Sequence, residues 1–176
     1  ATQQVNFDPA QSRQVFNLAA SDYLNPIAIG EILRRIHVEA PHCTVIMHSM
    51  GHNVDYAHAL ESGMYDAVIG NWPQPPEYLR LAPLFEDEVV CLMRKLHPLA
   101  NKPLSMDDYL NADHIAPTPY TVGQRGVIDL HLSKERLKRN IVAFIPYFGM
   151  IPYMLLQLDA IFSAPRSFSR HYSALL

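Results

Sequence analysis

The chain predicts an α/β fold of two lobes, and three observations carry that prediction. Short apolar runs alternate with segments of helical periodicity. The alternation occurs twice, once in each half of the chain. Hydrophobic residues make up 49% and charged ones 18% of 176 residues, which suffices for a packed core and excludes disorder. Proline-rich punctuation at residues 72–76 (WPQPP) and 117–119 (PTP) marks loops rather than element interiors.

The elements follow in order. Residues 15–20 (VFNLAA) form a buried strand, and Ser21-Asp22 supplies helix-capping chemistry at its end. A helix spans 24–39, with Leu24, Ile27, Ala28, Ile32 and Ile36 at helical spacing, and Pro41 stops it. Residues 44–47 are a second strand, 48–53 a loop, and 54–62 a second helix closed by Gly63, where a residue without Cβ accepts positive φ. Residues 67–69 are a third strand. This order is that of a parallel sheet with right-handed crossovers. The second half gives strands at 88–93, 114–117, 140–145 and 160–163, and helices at 105–110, 127–137 and 150–158.

Composition removes several function classes. Fourteen basic against seventeen acidic side chains leave a net charge of −3, without the clustered Lys and Arg that phosphate binding needs. Cys43 and Cys91 are too few for a disulfide scaffold and lack metal spacing, which points to a reducing, cytoplasmic compartment. No apolar run approaches the ~20 residues that cross a bilayer, and residues 1–9 lack the features of a signal peptide. No membrane contact is expected. The chain does not begin with Met, as an excised fragment would not. Phosphate-loop, dinucleotide, nucleophile-elbow and zinc-protease motifs are all missing. His48, His52 and His58, with Asp55 between them, are a candidate metal set, but loop and surface histidines are the plainer reading, and neither metal nor cofactor is expected.

Binding chemistry is expected at the strand-to-helix turns. At the carboxyl edge of a parallel sheet such turns aim backbone N–H groups and helix dipoles outward, which favours an anion such as a carboxylate. Ser21-Asp22, residues 118–124 and Phe148-Gly149 are three such turns. Plain capping explains Ser21 equally well. Tyr23, Tyr120, Tyr147 and Phe148 sit near these turns and would suit an aromatic or unsaturated carboxylate, or simply pack.

Five stretches in order carry a resemblance. FDPAQSRQVFNLAASDY (7–23), APHCTVIM (40–47), LESGMYDAVIG (60–70), LFEDEVVCLMRKLHPLA (84–100) and IFSAPRSFSRH (161–171) resemble the effector-binding region of LysR-type transcriptional regulators. FDPAQS and PYFGMIP are most similar to the branch regulating aromatic degradation and nodulation. The resemblance implies a type 2 periplasmic-binding-protein-like pair of Rossmann-like lobes joined by crossover strands. Residues 12–85 and 163–176 would form the first lobe, 86–162 the second, and 1–11 the end of a linker from an upstream DNA-binding domain. It further implies a small carboxylate effector between the lobes, allosteric transmission to DNA through that absent helix-turn-helix, a homodimer or tetramer formed through the first lobe, and no enzymatic activity. The helix at 24–39 and the sheet edge at 44–47 are the candidate contacts between copies.

Carried over by position, the implied effector-binding residues are Ser21, Asp22, Tyr23, Ser49, Thr118, Gln124, Tyr147 and Phe148, with the Ser21 hydroxyl and neighbouring N–H meeting the carboxylate. Gln124 and Tyr147 stand where aromatic-acid regulators carry histidine, which weighs against a salicylate-like ligand and leaves carboxylate binding open. The family continues through a further strand and closing helix, so the first lobe is expected to be truncated after Leu176. A periplasmic-type solute-binding protein for a small anion is the main alternative, and a hydrolase using Ser21 or a module serving only oligomerisation are more distant ones.

Overall fold

A computed structural model of the chain describes residues 7–51, 54–72, 75–119 and 125–176. Residues before Leu81, Gly51 apart, form one compact unit, and those from Leu81 onward a second. Each has its own sheet with helices on the connections.

In the first unit β1 (Val15–Ala20) lies between β2 (Thr44–Ser49) and β3 (Ala67–Ile69) in a parallel sheet of order β2-β1-β3. Being paired on both sides, β1 buries Leu18, Ala19 and Ala20. Strand β2 extends beyond its expected end, because His48 and Ser49 stay in register with Ala19 and Ala20.

Helix α1 (Pro26–Glu39) starts later than the sequence suggested, and Ser21-Asp22 does not cap it. Asn25 is the cap, its side-chain oxygen accepting from Ile27 N at 2.9 Å. Pro26 follows at the first helical position, where its fixed φ suits the helix and its missing N–H costs nothing. Residues 21–24 form a turn closed by Leu24 N donating to Ser21 O at 3.3 Å. No residue of α1 is fully buried, and Ile27 is 71% exposed. Helix α2 (Tyr56–Glu61) is capped by Asp55, which accepts from His58 N at 3.0 Å. Gly63 follows in the expected left-handed conformation, at φ +73°.

The second unit has the order β4-β7-β5-β6, made of β4 (Val89–Leu92), β5 (Asp113–Pro117), β6 (Asn140–Ile145) and β7 (Ala160–Pro165). The β7–β5 and β5–β6 pairs are parallel and β4–β7 antiparallel. Helix α3 (Met106–Asn111) opens on a capping box between Ser105 and Asp108. Lys102 and then the Ser105 hydroxyl and N–H hold the Asp108 carboxyl down at about 2. Helix α4 (Val127–Lys134) ends earlier than expected in a Schellman turn: Leu137 N donates to Leu132 O at 2.9 Å and Arg136 N to Ser133 O at 3.1 Å. Arg136 occupies the left-handed position at φ 59°, where glycine is usual. Helix α5 (Ile151–Leu155) follows a single 3-10 turn, Phe148–Met150.

Two features depart from the expected second half. Helix α6 (Arg166–Tyr172) had no local signal, because its cap comes from far away in the chain. The Asp87 carboxylate accepts from Ser167 N at 3.2 Å and from the Ser167 hydroxyl, while Glu88 pairs with Arg166 at 2.7 Å. Residues 163–176, expected in the first lobe, belong instead to the second unit. The reason is β7, an inner strand that bonds β4 on one side and β5 on the other and buries Ala160 through Ala164. Phe148, Phe162 and Phe168 form the ring core beside it, edge to face at centroid separations of 5.4 to 6.1 Å.

Candidate functional site

Three parallel strands bring three residues to one edge. Ala20 is in register with Ser49 and with Ile69, so Ser21, Met50 and Gly70 each stand one step beyond a strand's carboxyl end. The ladder runs on past the strand ends: Ser21 N donates to Ile69 O at 3.1 Å and Met50 N to Ala20 O at 3.2 Å. The N–H of Ser21 itself is thereby spent inside the sheet. The hydroxyl is what the turn presents. Ser21 is only 3% exposed, and its Oγ donates to Met50 Sδ at 2.9 Å.

Gly70 makes this approach feasible. A Cβ placed there would come within 2.8 Å of Ser21 Oγ and 3.1 Å of Met50 Sδ. Its φ is not in the left-handed region, so glycine serves space and not backbone conformation. Tyr23 closes the group. Its phenol accepts from Asn71 N and shares a hydrogen bond with the Ser21 side chain; burial, the larger effect, pushes its pKa up. Asp22 and Ser49 are exposed beside it.

The remaining expected residues lie in the second unit or outside the described ones. Thr118 stands just past β5, its N–H donating to Ile145 O at 3.0 Å. Tyr147 is 59% exposed and precedes the 3-10 turn. The Phe148 ring packs on Phe162 and Phe168 as core. Gln124 and Tyr120 fall outside the described residues. Met50, Gly70 and Asn71 were missed by sequence reasoning. No local signal marks them, because the register that brings the strand ends together joins residues far apart in sequence.

A buried polar network in the second unit was missed as well. Arg139, its side chain 2% exposed, makes a two-pronged ion pair with Asp129 at 2.8 Å on both arms. It also donates to Tyr109 Oη at 3.3 Å, and Tyr109 Oη lies 2.7 Å from Ser163 Oγ. His114 is fully buried, its Nε2 2.6 Å from Tyr109 O and its Nδ1 3.5 Å from Arg139 Nη1. A guanidinium only donates and a carbonyl only accepts, so the imidazole carries its proton on Nε2 and is neutral. Burial is the main cause holding the His114 pKa below its ordinary value, and the Arg139 charge adds to it.

Among the described residues no three His, Cys, Asp or Glu side chains gather as a metal site. His48 Nε2 pairs with Asn17 Oδ1 at 2.9 Å, His58 and Asp55 share the start of α2, and His52 lies outside the described residues. No described helix is long and apolar enough to cross a membrane.

A parallel α/β unit with a serine hydroxyl at its carboxyl edge, followed by a second α/β unit, defines a class that binds ligands at such edges. Within that class the chain belongs to the LysR substrate binding domain family, whose model matches residues 9–174. It is 27% identical over 166 residues to the HTH-type transcriptional activator NagR of Ralstonia sp., covering 93% of this chain and 54% of that protein. It is 26% identical over 170 residues to nodulation protein D 2 of Rhizobium tropici, covering 95% and 52%. The chain thus spans about half the length of the curated relatives it matches. Among solved structures, a probable transcriptional regulator from Pseudomonas aeruginosa superimposes with a TM-score of 0.82 at 25% identity, over 96% of this chain and 56% of that one. The BenM effector-binding domain, solved with its effector benzoate, shares the fold at a TM-score of 0.68 and 15% identity, over 90% and 73%. The expected family and its two-lobe fold class are therefore those found.

Proposed function

We propose that this chain is the ligand-sensing part of a transcription regulator that binds a small carboxylate, aromatic or unsaturated, and passes binding on to a DNA-binding domain elsewhere in the protein. The observation that carries the reading is the Ser21 hydroxyl, held at the point where three parallel strand ends converge. A hydroxyl so placed donates well to an anionic oxygen. The curated relatives matched include a transcriptional activator and a nodulation protein, and BenM's effector, benzoate, is a carboxylate.

In this reading Ser21, Asp22, Tyr23 and Ser49 supply the first unit's contacts with the ligand, and Thr118, Gln124, Tyr147 and Phe148 the second's. Residues 1–11 end a linker to the DNA-binding domain. The protein works in the cytoplasm as a homodimer or tetramer through the first unit. Helix α1, with no fully buried residue, and β2, a sheet edge exposing Ile46 and Met47, suit that contact. The ligand acts through its differential affinity for two arrangements of the protein.

Calorimetry with a panel of benzoates, muconates and short carboxylates tests this. Ser21→Ala is expected to weaken the best-binding acid about tenfold or more, the cost of one hydrogen bond to a charged group. Unchanged affinity removes Ser21 from the site.

A further inference from the structure

We infer that Arg139 is a positioning residue for ligand binding: paired with Asp129, it holds the start of α4, where the turn from β5 ends. The inference rests on the reading that this turn meets the ligand through Thr118 and Gln124. Helix α4 has few other anchors at that end. Its cap, Gly126, has no side chain to bond the first turn, and Val127 and Leu130 are half-exposed. Leu132, further along, is its one fully buried residue among those described. Asp129 is the first-turn residue that reaches inward. Its carboxylate lies over the helix start, with Oδ2 3.7 Å from where a Cβ on Gly126 would stand. Arg139 donates to both of its oxygens at 2.8 Å.

A two-pronged pair fixes direction as well as distance, because the guanidinium is planar and its donors are rigidly spaced. Arg139 is itself fixed from the core. Its side chain is 2% exposed and donates to Tyr109 Oη, which lies 2.7 Å from Ser163 Oγ on the inner strand β7. Polar contacts therefore run without a break from β7 to the start of α4. The other end of the turn is held by the sheet, where Thr118 N donates to Ile145 O. With both described ends fixed, a ligand meeting the turn loses less to the ordering of the protein. Burial of the helix does not require this pair. Replacing a buried ion pair by apolar side chains of similar volume is often neutral or stabilising. Stability and position are thus separable.

The test separates the two. The double variant Asp129→Leu/Arg139→Met should unfold at or above the parent's midpoint, yet bind the best-binding acid of the panel about three- to tenfold more weakly. Hydrogen exchange should quicken at the Leu130 amide, which closes the first turn on Gly126 O at 2.8 Å, and stay unchanged in β5 and β7. Asp129→Asn keeps the shape without the charge and should weaken the acid in the same direction, measured well below its own midpoint. Should the double variant fail to fold, Asp129→Asn decides alone. Both losses should vanish in a Thr118→Ala/Gln124→Ala background, since the pair acts only through that turn. A merely structural pair would give parent-like affinity in every variant that folds. That result, or a loss that survives in the Thr118→Ala/Gln124→Ala background, overturns the inference and leaves the carboxylate reading standing. If Thr118→Ala/Gln124→Ala itself binds like the parent, the second unit's share of that reading falls and the inference falls with it.

Discussion

The two units fill their interiors with different side chains. In the first, the fully packed residues are mostly small: Ala19, Ala20, Ala40 and Ala59, with Leu18 and Tyr56. Its longest helix buries none of its residues fully. In the second, Phe162, Phe168, Ile115, Ile151, Ile161 and Leu155 are all but sealed from solvent, and an Arg139–Asp129 pair with His114 lies among them. Small residues at strand ends let backbones and the Ser21 hydroxyl come close together. Large rings and a satisfied polar network instead specify one rigid arrangement. The contrast separates a unit whose sheet edge gathers Ser21, Met50 and Gly70 from one shaped around large rings.

The strongest way to break that contrast is Phe162→Ala. A fully buried ring in contact with two others should cost about 3–5 kcal/mol on removal, measured by denaturant unfolding with far-UV circular dichroism. A loss below ~1 kcal/mol would deny the ring core its role.

Gly70→Ala probes the first unit. Overpacking against Ser21 Oγ should cost about 1–3 kcal/mol. In a Ser21→Ala background part of that cost should disappear, because the added methyl would then meet the residue 21 Cβ at 3.8 Å, an ordinary contact, and Met50 Sδ at 3.1 Å, the far end of a flexible side chain. Trp72, the single tryptophan, packs on Tyr56 in this unit and makes its fluorescence the local readout.

The polar network predicts a pH effect confined to the second unit. His114 has its pKa lowered in the folded state, chiefly by burial and further by Arg139, while Tyr109 O, Asp129 and Asp113 oppose the shift. Below the unfolded value of ~6.5 the unfolded chain binds the proton more readily than the folded one, so stability falls as pH drops through that point. Urea unfolding at falling pH should show this loss in the parent and a shallower one in His114→Gln, whose amide can still donate to Tyr109 O. Equal slopes would mean that His114 does not titrate in this window.

The smallest expected effect is a gain. Arg136→Gly relieves a left-handed position at the end of α4 and should stabilise by about 0.5–1 kcal/mol, read from the shift in denaturant midpoint.

Much of the fold was legible before any coordinates. The runs VFNLAA, AVI and NIVAFI are strands at the boundaries their apolar composition and flanking turns imply, and Gly63 ends a helix as its missing Cβ suggests. Local chemistry misled at Ser21-Asp22, where a capping pair exists but Asn25-Pro26 caps better. It was silent at α6, capped by Asp87 from 80 residues away. Of the candidate edge, Ser21 and Tyr23 were legible as polar and aromatic residues at a strand-to-helix turn. Met50 and Gly70 were not.

The amino-acid order by itself determined where strands and helices form, that they alternate, and that the chain is α/β, because periodicity, proline, glycine and caps act over a few residues. Only the tertiary structure decided which strand ends meet, that Gly70 makes room for Ser21 and Met50, that Arg139 finds Asp129 and His114, and that β7 joins the second sheet. Those contacts depend on register between strands far apart in sequence, and register is settled by collective burial rather than by any local stretch of residues.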